Sequence, residues 1–383
     1  MRCPLAAAGL LAAALLASCA HGPELEPAPV AEADAAVERF IAQGQLPGAA
    51  VWIERLGHGS HHRAYGRRAV DPAPEPLDEA TVFDAASLTK PVVTATLVQL
   101  LRERGQLDME APLQRYLPGC GGEDKAGITL RLLLTHSSGL PSGLPRNGAG
   151  DWAGREDALR IACGLPLAAP PGTQFRYSDV NYILLGLIVE GVGGATLDRL
   201  AEQMLFKPLG MKDSGYLPLR RMDARRIAPT ERLADGQVLR GEVHDPTARK
   251  MGGVAGHAGL FTTTADLARF ARMLLGGGVA EDGRRLLSAD SVVLLTMPQS
   301  PAEVAEKRSM GWDISSPYSR PRGSLYPPTS FGHTGFTGCA FWLDPASQSF
   351  FVLLSNRVHP GAGTNVLPLY GELGTLAARA AGL

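Results

Sequence analysis

Apolar residues recur at helical spacing near both ends of the chain. The spacing within residues 31–45 predicts a helix, which Gly44 and Pro47 end. A further helix predicted over residues 365–381 closes the chain. Helices are therefore expected to cover whatever sheet the two ends of the chain form.

Short runs of β-branched and aromatic residues predict strands in the same two regions. Residues 49–53 and 62–65 are separated by a turn at residues 57–60, as in a hairpin. Three more strands are predicted at residues 311–314, 339–343 and 350–354. Because hairpin-forming strands occur near both ends, we expect one antiparallel sheet to which both ends contribute.

The middle of the chain has a different pattern. A strong helix is predicted over residues 87–104, with Asp84 placed to cap it and Gly105 to end it. Residues 106–245 are typical of helices and long loops, with helices at 129–135 and 181–192. The predicted fold class is α+β: an antiparallel sheet flanked by helices, with a mainly helical insert lobe. An active site would lie between the sheet and the insert.

Composition excludes several classes of protein. The chain has 383 residues and a net charge of −1, with 45% hydrophobic and 20% charged residues. This balance is that of an ordinary globular protein and disfavours disorder or coiled coil. Without a net positive field, nucleic acid is not expected as a partner.

The N-terminus predicts export. Arg2 precedes the apolar run of residues 4–17, which is too short to span a bilayer and has the length of a signal-peptide core. Residues 16–19, Leu-Ala-Ser-Cys, resemble a bacterial lipobox, which implies a signal peptide over residues 1–19 and lipid on Cys19. An ordinary secretory signal is the alternative. Ala20 carries no acidic retention signal, so the resemblance favours an outer-membrane lipoprotein facing the periplasm.

Residues 20–34 are Pro-rich and acidic, which predicts an extended tether between the anchor and a domain over residues 35–380. Within that domain, Cys120, Cys163 and Cys339 show no CxxC spacing. Three buried thiols are the favoured interpretation, and one disulfide among them stays open.

Ser87 and Lys90 are the first chemical signal. A serine at the start of a helix with a lysine three residues later places both side chains on one face, near the positive end of the helix dipole. Lysine can act as a base there if burial or a neighbouring cation lowers its pKa. The pair alone is a weak pattern and needs partners.

Those partners are Tyr177-Ser178-Asp179 and His333-Thr334-Gly335. In this chain order the motifs resemble those of serine β-lactamases and penicillin-binding proteins. The resemblance is strongest to the class C-like branch, which includes D-alanyl-D-alanine carboxypeptidases, esterases and cell-wall amidases. The stretches at residues 133–140 and 259–267 are also similar to this family, and the likeness covers about residues 35–380.

The resemblance implies a mechanism without metal or organic cofactor. Ser87 would form an acyl-enzyme, with Lys90 and Tyr177 sharing the proton transfers, and either of them could be the base. The backbone N–H groups of Ser87 and Phe336 would form the oxyanion hole. The residues expected to contact substrate are Asp179, His333, Thr334, Gly335, Asn356 and Arg357.

Several of these residues have a second interpretation. Asp179 stands where many relatives carry Asn and cannot donate a hydrogen bond when ionised, which puts strong β-lactamase activity in doubt; it could instead cap a helix. His333 replaces a more usual Lys and could face solvent. Asn356 and Arg357 could bind a substrate carboxylate or lie in an exposed loop. His136 is interpreted as a structural hydrogen-bonding residue.

A further stretch looks like a subgroup associated with peptidoglycan fragments. It comprises residues 243–246 and 252–259, and it includes His244, Asp245 and His257. A metal site is the alternative for these three residues, although their spacing matches no usual ligand pattern.

The leading hypothesis is an exported serine hydrolase that acts on peptides or amides derived from the cell wall. A carboxylesterase or weak β-lactamase of the same fold is the alternative within the enzyme class. A catalytically silent sensor that binds cell wall is the alternative outside it. The chain contains neither the Gly-x-Ser-x-Gly motif of α/β-hydrolases nor the His-Glu-x-x-His motif of metalloproteases.

Overall fold

The fold is described from a computed structural model covering residues 24–145, 152–361 and 363–383. The predicted signal peptide and Cys19 lie outside these residues. The strands are β1 Gly48–Arg55, β2 Gly59–Ala69, β3 Glu75–Pro76, β4 Phe83–Asp84, β5 Phe261–Thr262, β6 Lys307–Arg308, β7 Asp313–Ser315, β8 Phe331–Gly335, β9 Cys339–Asp344 and β10 Ser349–Ser355. The helices are α1 Pro27–Ala42, α2 Thr96–Glu103, α3 Leu130–Leu134, α4 Gly154–Gly164, α5 Asp179–Gly193, α6 Leu197–Ala201, α7 Lys207–Leu209, α8 Pro246–Lys250, α9 Thr264–Leu275, α10 Ala289–Thr296 and α11 Leu367–Ala380.

Eight strands form one sheet in the order β3-β2-β1-β10-β9-β8-β7-β6, and β4 pairs with β5 in a separate ribbon. The first hairpin joins the C-terminal strands through antiparallel pairing of β1 with β10, where Ala50 is opposite Leu354. The predicted fold class is therefore confirmed, because strands from both ends of the chain complete one antiparallel sheet.

Alternation along β10 builds the core on both faces of this sheet. Phe350, Val352 and Leu354 pack in the larger core beneath the insert lobe. Phe351 and Leu353 point the other way and pack beneath α1 and α11. Successive side chains of a strand face opposite sides, so a continuous apolar run is what a strand buried on both faces requires.

The first helix begins earlier than predicted. Helix α1 starts at Pro27, so residues 27–34 are helical and do not form the extended tether expected there. Proline is tolerated at the first helical position because the N–H it lacks would have no partner inside the helix. Pro29 and Ala33, four residues apart on one side of this helix, are buried, so the Pro-rich start of the helix packs against the rest of the domain.

The helix predicted over residues 87–104 is also irregular. A 3-10 turn at Ala86–Leu88 leads into a π-helical segment at Lys90–Ala95, and regular α-helix follows in α2. Pro91 lacks an N–H group, so the regular hydrogen-bond ladder cannot run through it. Wider π turns of this kind often occur at functional sites.

The insert lobe contains α3 to α7 and several 3-10 turns within its described part. Cys120 and Cys163 form a disulfide across this lobe, with Cα atoms 4.4 Å apart, so the favoured interpretation of three free thiols is wrong. Cys339 is a buried free thiol. The sequence could not predict the pairing because 43 residues separate the two bonded cysteines. In the described ranges no single helix is long and apolar enough to cross a membrane; the bent pair Asp179–Gly193 and Leu197–Leu209 meets that test by length and composition only.

Candidate active site

Ser87 lies in a tight turn between β4 and the helical segment that follows. Ala86 has a φ of 47°, in the left-handed region that is unfavourable for a residue with a Cβ atom. The buried Asp84 carboxylate accepts hydrogen bonds from the backbone N–H of Ala86 at 2.8 Å and of His244 at 2.7 Å. Asp84 therefore stabilises the strained turn and fixes the position of Ser87.

The Lys90 ammonium group is fully buried and has three partners. Its Nζ donates to Ser87 Oγ at 3.0 Å and to the His257 carbonyl at 3.0 Å, and it forms an ion pair with Asp179 Oδ1 at 2.8 Å. Burial by itself lowers the pKa of Lys90, but the charge of Asp179 and then Tyr177 outweigh it, so the pKa is raised. The condition under which Lys90 could act as a base, a pKa lowered by burial, is therefore not met while Asp179 lies beside it.

Tyr177 lies beside this ammonium group. Lys90 Nζ is 5.0 Å from the centroid of the Tyr177 ring. The ring also contacts Tyr318 and His333, with centroids 5.3 and 5.9 Å away. Ser87, Lys90 and Tyr177, which are up to 90 residues apart in sequence, are thus brought together as predicted.

His136 holds the loop that carries Tyr177. Its carbonyl accepts the Arg176 N–H at 2.9 Å, and its Nδ1 accepts the Ser178 N–H at 3.1 Å. Its ring packs on Tyr177 with centroids 4.5 Å apart. Burial, and then the charge of Arg308, hold the pKa of His136 well below its usual range, so the ring is neutral and Nδ1 can accept. This agrees with its interpretation as a structural hydrogen-bonding residue.

The predicted oxyanion-hole residues meet at the end of β8. Gly335 approaches the nucleophile turn so closely that a Cβ atom there would lie 2.6 Å from the Ala85 carbonyl oxygen. Only glycine allows this approach without a shift of backbone. It brings Phe336 and Ser87 to the same cavity. The His-Thr-Gly motif lies within strand β8.

The cavity around Ser87 has a volume of about 520 Å³ and lies where the sheet meets the insert lobe, as predicted. This volume suits a small ligand or part of a peptide. The lining side chains with titratable or aromatic groups are Tyr177, Asp179, Glu231, His244, Asp245, Arg249, His257, Arg308, Asp313, Tyr318, His333 and Phe336.

His333 lines the cavity together with Thr334, as expected for residues that contact substrate. Its Nδ1 is 2.8 Å from the Thr334 carbonyl, to which it must donate, so Nε2 carries no proton. Burial, followed by the charges of Arg308 and Lys90, holds the pKa of His333 well below its usual range. The ring is therefore neutral and does not replace the positive charge of the lysine that is usual at this position.

Arg308 is a cavity residue that the sequence did not reveal. It is fully buried in β6, forms an ion pair with Asp313 at 3.2 Å, and lies 6.0 Å from the centroid of the Tyr177 ring. The adjacent Lys307-Arg308 pair has the appearance of an exposed basic dipeptide. No pattern in the sequence indicates that Arg308 is buried, because its burial depends on β7 and on the loop that carries Tyr177.

Asp179 is not the cap of α5. Ser178 is the N-cap residue, and its side chain accepts the Asn181 N–H at 3.4 Å. The carboxylate of Asp179 pairs with Lys90 and also lines the cavity. It therefore acts on the site mainly through the charge of the buried lysine.

Asn356 and Arg357, predicted to contact substrate, do not line the cavity. Asn356 is buried and donates from Nδ2 to the carbonyls of Arg68 and Pro229, each at 2.7 Å. Arg357 donates to the Thr364 carbonyl at 3.1 Å. Both residues follow β10 and neither lines the cavity, although the guanidinium carbon of Arg357 lies 4.8 Å from the centroid of the Phe336 ring.

The stretch with His244, Asp245 and His257 does line the cavity. Asp245 Oδ1 accepts from His257 Nε2 at 2.9 Å, and the His257 carbonyl accepts from Lys90. Throughout the described part of the chain, no group of three or more His, Cys, Asp or Glu could hold a metal ion. These residues instead connect the lysine to the rim of the cavity.

An antiparallel sheet flanked by helices, with Ser-x-x-Lys at the start of a helix and His-Thr-Gly on the facing strand, defines the class of β-lactamase- and penicillin-binding-protein-like hydrolases. Comparison with known proteins agrees. The beta-lactamase family model matches residues 33–373, and the chain belongs to this family.

Two curated relatives are similar over most of their length. A protein of Escherichia coli K12 named as a D-alanyl-D-alanine carboxypeptidase is 34% identical, over 77% of this chain and 74% of the relative. The N-acetylmuramyl-L-alanine amidase of Bacillus subtilis 168 is 32% identical, over 85% of this chain and 80% of the relative.

Solved structures share the fold at lower identity. A penicillin-binding protein homologue from Caulobacter crescentus has a TM-score of 0.73 at 20% identity, covering 94% of this chain and 99% of that chain. EstCE1, described as a hydrolase with promiscuous acyltransferase activity, also has a TM-score of 0.73 at 20% identity, covering 92% and 99%.

Replacing Asp179 with Asn tests the charge balance at Lys90. Without the carboxylate, burial dominates and the pKa of Lys90 falls, so the ammonium group loses its proton at lower pH. We expect the alkaline limb of kcat/KM for an activated ester to move down by at least about one pH unit. Rates measured from pH 5 to pH 10 give this shift. The exposed control Asp235→Asn keeps the wild-type profile, and an unchanged profile for Asp179→Asn contradicts the interpretation.

His136 has a φ of 57°, which both Asn and Gly tolerate. Because Asn offers an acceptor near the position of Nδ1 and Gly does not, His136→Gly should lower kcat by about tenfold or more, while His136→Asn retains most of it. Ester kinetics and unfolding midpoints of both variants distinguish positioning from stability. Equal kcat for the two variants would mean that His136 does not position Tyr177.

Proposed function

We propose that this protein is an exported serine hydrolase that works through an acyl-enzyme on Ser87, with peptidoglycan-derived peptides or amides as its leading substrate class. The observation that carries the proposal is the 3.0 Å hydrogen bond from Lys90 Nζ to Ser87 Oγ beside the Tyr177 ring, in an open cavity. A nucleophile, a proton-transfer group and a fixed cation therefore meet where a substrate can enter.

The raised pKa of Lys90 favours Tyr177 as the proton acceptor. In acylation, Ser87 Oγ bonds to the substrate carbonyl carbon, and its proton is relayed through the Tyr177 oxygen, beside the Lys90 ammonium group, towards the leaving nitrogen. The backbone N–H groups of Ser87 and Phe336 bind the oxyanion. The tyrosine then protonates the leaving amine, so that the carbon–nitrogen bond breaks.

Deacylation runs through the same groups. Water attacks the acyl-enzyme carbonyl, gives its proton to Tyr177, and Ser87 leaves as the hydroxyl when that proton returns to Oγ. Lys90 supplies constant positive charge in both halves of the reaction because Asp179 keeps it protonated. The site thus needs no movement of charged groups between the two steps.

The relatives named as a D-alanyl-D-alanine carboxypeptidase and as an N-acetylmuramyl-L-alanine amidase support a cell-wall substrate. A D,D-carboxypeptidase or a muropeptide amidase is therefore the leading activity. Asp179 forms an ion pair with Lys90 and, as an ionised carboxylate, cannot donate a hydrogen bond to a substrate carbonyl. This weighs against strong β-lactamase activity. The shared fold with EstCE1 keeps carboxylesterase as the second candidate.

A catalytically silent sensor is disfavoured by the geometry of the site. Such a protein has no need for a fully buried lysine that hydrogen bonds to a serine. Burying a charge is costly unless it is paired, so the arrangement is expected to persist only where it has a function.

Export and lipid attachment at Cys19 are part of the same proposal and rest on the sequence of residues 1–20. An anchor in the outer membrane facing the periplasm would place the hydrolase next to peptidoglycan. The proposed partners are therefore a membrane, through the lipid, and a small peptide or amide substrate.

The acyl-enzyme is tested by replacing Ser87 with Ala. Wild type incubated with p-nitrophenyl acetate or a fluorescent penicillin should gain one acyl mass in intact-protein mass spectrometry, and Ser87→Ala should not. Ester turnover should fall by about 1000-fold or more, because the nucleophile is lost. The exposed control Ser60→Ala behaves as wild type. Full activity of Ser87→Ala would contradict a mechanism through an acyl-enzyme on Ser87.

Lipid attachment is tested with Cys19→Ser. In bacteria fed radiolabelled palmitate, the wild-type protein should be labelled and should partition into the detergent phase, whereas Cys19→Ser should be unlabelled. Cys3→Ser is the matched control, since Cys3 would leave with the signal peptide, and it should stay labelled. An unlabelled wild-type protein indicates an ordinary secretory signal.

A further inference from the structure

One side of the cavity is formed by residues that the mechanism above does not use. His244 Nε2 is 3.1 Å from Glu231 Oε2, and the His244 ring stacks on Phe336 at 5.6 Å with an interplanar angle of 21°. Glu231, His244 and Phe336 all line the cavity, and we refer to them together as the Glu231 face.

The Glu231 face is held in place relative to the nucleophile. The Asp84 carboxylate binds the backbone N–H of His244 through one oxygen and that of Ala86, next to Ser87, through the other. Phe336 is also the residue whose backbone N–H is assigned to the oxyanion hole. A substrate group that contacts this face therefore lies close to the carbonyl that Ser87 attacks.

The chemistry of the Glu231 face defines what can bind there. The Glu231 side chain is 38% exposed, and an ionised carboxylate accepts hydrogen bonds but cannot donate them. Phe336 is 58% exposed, which is unusual for a large apolar side chain in a cavity. The complementary group has hydroxyl or N–H donors on one side and a C–H surface on the other.

The charges near the face distinguish two kinds of donor, neutral hydroxyl groups and a positively charged ammonium group. The guanidinium carbon of Arg357 lies 4.8 Å from the centroid of Phe336, and Arg249 lines the same side of the cavity. The Asp245 carboxylate also lines the cavity, but it is paired with His257 at 2.9 Å, so the two guanidinium groups beside the face disfavour an ammonium group, as like charges repel. Neutral hydroxyl donors suffer no such penalty, so a sugar ring fits better than an amino side chain.

We infer that the Glu231 face is a sugar-binding subsite. The Glu231 carboxylate accepts hydrogen bonds from the hydroxyl groups of a pyranose ring, and Phe336 contacts the C–H surface of that ring. This inference rests on the proposed function and deepens it. A sugar next to the scissile bond favours a substrate in which the acyl group is attached to a sugar, as in an N-acetylmuramyl-L-alanine amide. A D-alanyl-D-alanine peptide has no sugar at that position.

The first experiment measures binding without chemistry. Calorimetry with the full domain carrying Ser87→Ala compares N-acetylmuramyl-L-alanyl-D-isoglutamine with N-lactoyl-L-alanyl-D-isoglutamine, which has the same peptide and charge but no sugar. The sugar compound should bind about tenfold more tightly, and adding Glu231→Gln should remove most of that difference. Glu303→Gln is the control, because Glu303 is exposed and does not line the cavity.

The second experiment measures hydrolysis of the same two compounds by proteins with Ser87 intact. The ratio of their kcat/KM values should favour the sugar compound and fall about tenfold in Glu231→Gln, but not in Glu303→Gln. Equal ratios in wild type, or a ratio that Glu231→Gln leaves unchanged, overturn the subsite. A global loss of stability in Glu231→Gln would lower both rates together and leave the ratio as it was.

A third pair of ligands examines the ammonium alternative. An L-alanyl-D-isoglutaminyl-L-lysine peptide and its Nε-acetylated form are bound to the Ser87→Ala protein. Tighter binding of the free amine that depends on Glu231 overturns the sugar assignment. Equal binding of the two peptides supports it.

The outcomes separate this inference from the proposed function. If wild type forms the Ser87 acyl-enzyme and cleaves D-alanyl-D-alanine peptides but shows no sugar preference, the proposed hydrolase is supported and the sugar subsite is contradicted. If no acyl-enzyme forms with any ester or amide, the proposed function fails, while sugar binding that depends on Glu231 would still support the subsite.

Discussion

A fully buried ammonium group is the constraint on which this site depends. Lys90 can remain charged away from water only if every N–H group is satisfied and a carboxylate lies close by. Asp179 at the start of α5, the carbonyl of His257 and the hydroxyl of Ser87 meet that need within 3.0 Å. Three distant parts of the chain must therefore converge before the nucleophile has its partner.

Other buried polar groups connect the same elements. Asp84 joins the nucleophile turn to the loop containing His244, and Arg308 pairs with Asp313 beneath the Tyr177 ring. Removing one partner from such a pair leaves an unsatisfied group in a low-dielectric setting. Buried polar pairs therefore hold the sides of the cavity that bear the chemistry, whereas Glu231 and Phe336 are its more exposed groups.

Much of the architecture could be predicted from local pattern. Alternation in the strands and the spacing of apolar residues in α1, α5 and α11 correctly indicated one sheet with helical cover, since these periods report which face is buried. The start of α1 at Pro27 and the π turn after Lys90 were missed because each depends on hydrogen bonds around a proline. The Cys120–Cys163 bond was missed because it requires proximity across the insert lobe.

The sequence by itself determined the types of element, their order, and the candidate chemistry of Ser87, Lys90 and Tyr177. Only the tertiary structure decided that Lys90 stays protonated, that Arg308 reaches the cavity, that Asn356 turns away from it, and that Glu231 faces it. The reason is physical. Periodicity depends on neighbours along the chain, whereas a pKa or an ion pair depends on distance and burial among residues that the fold brings together.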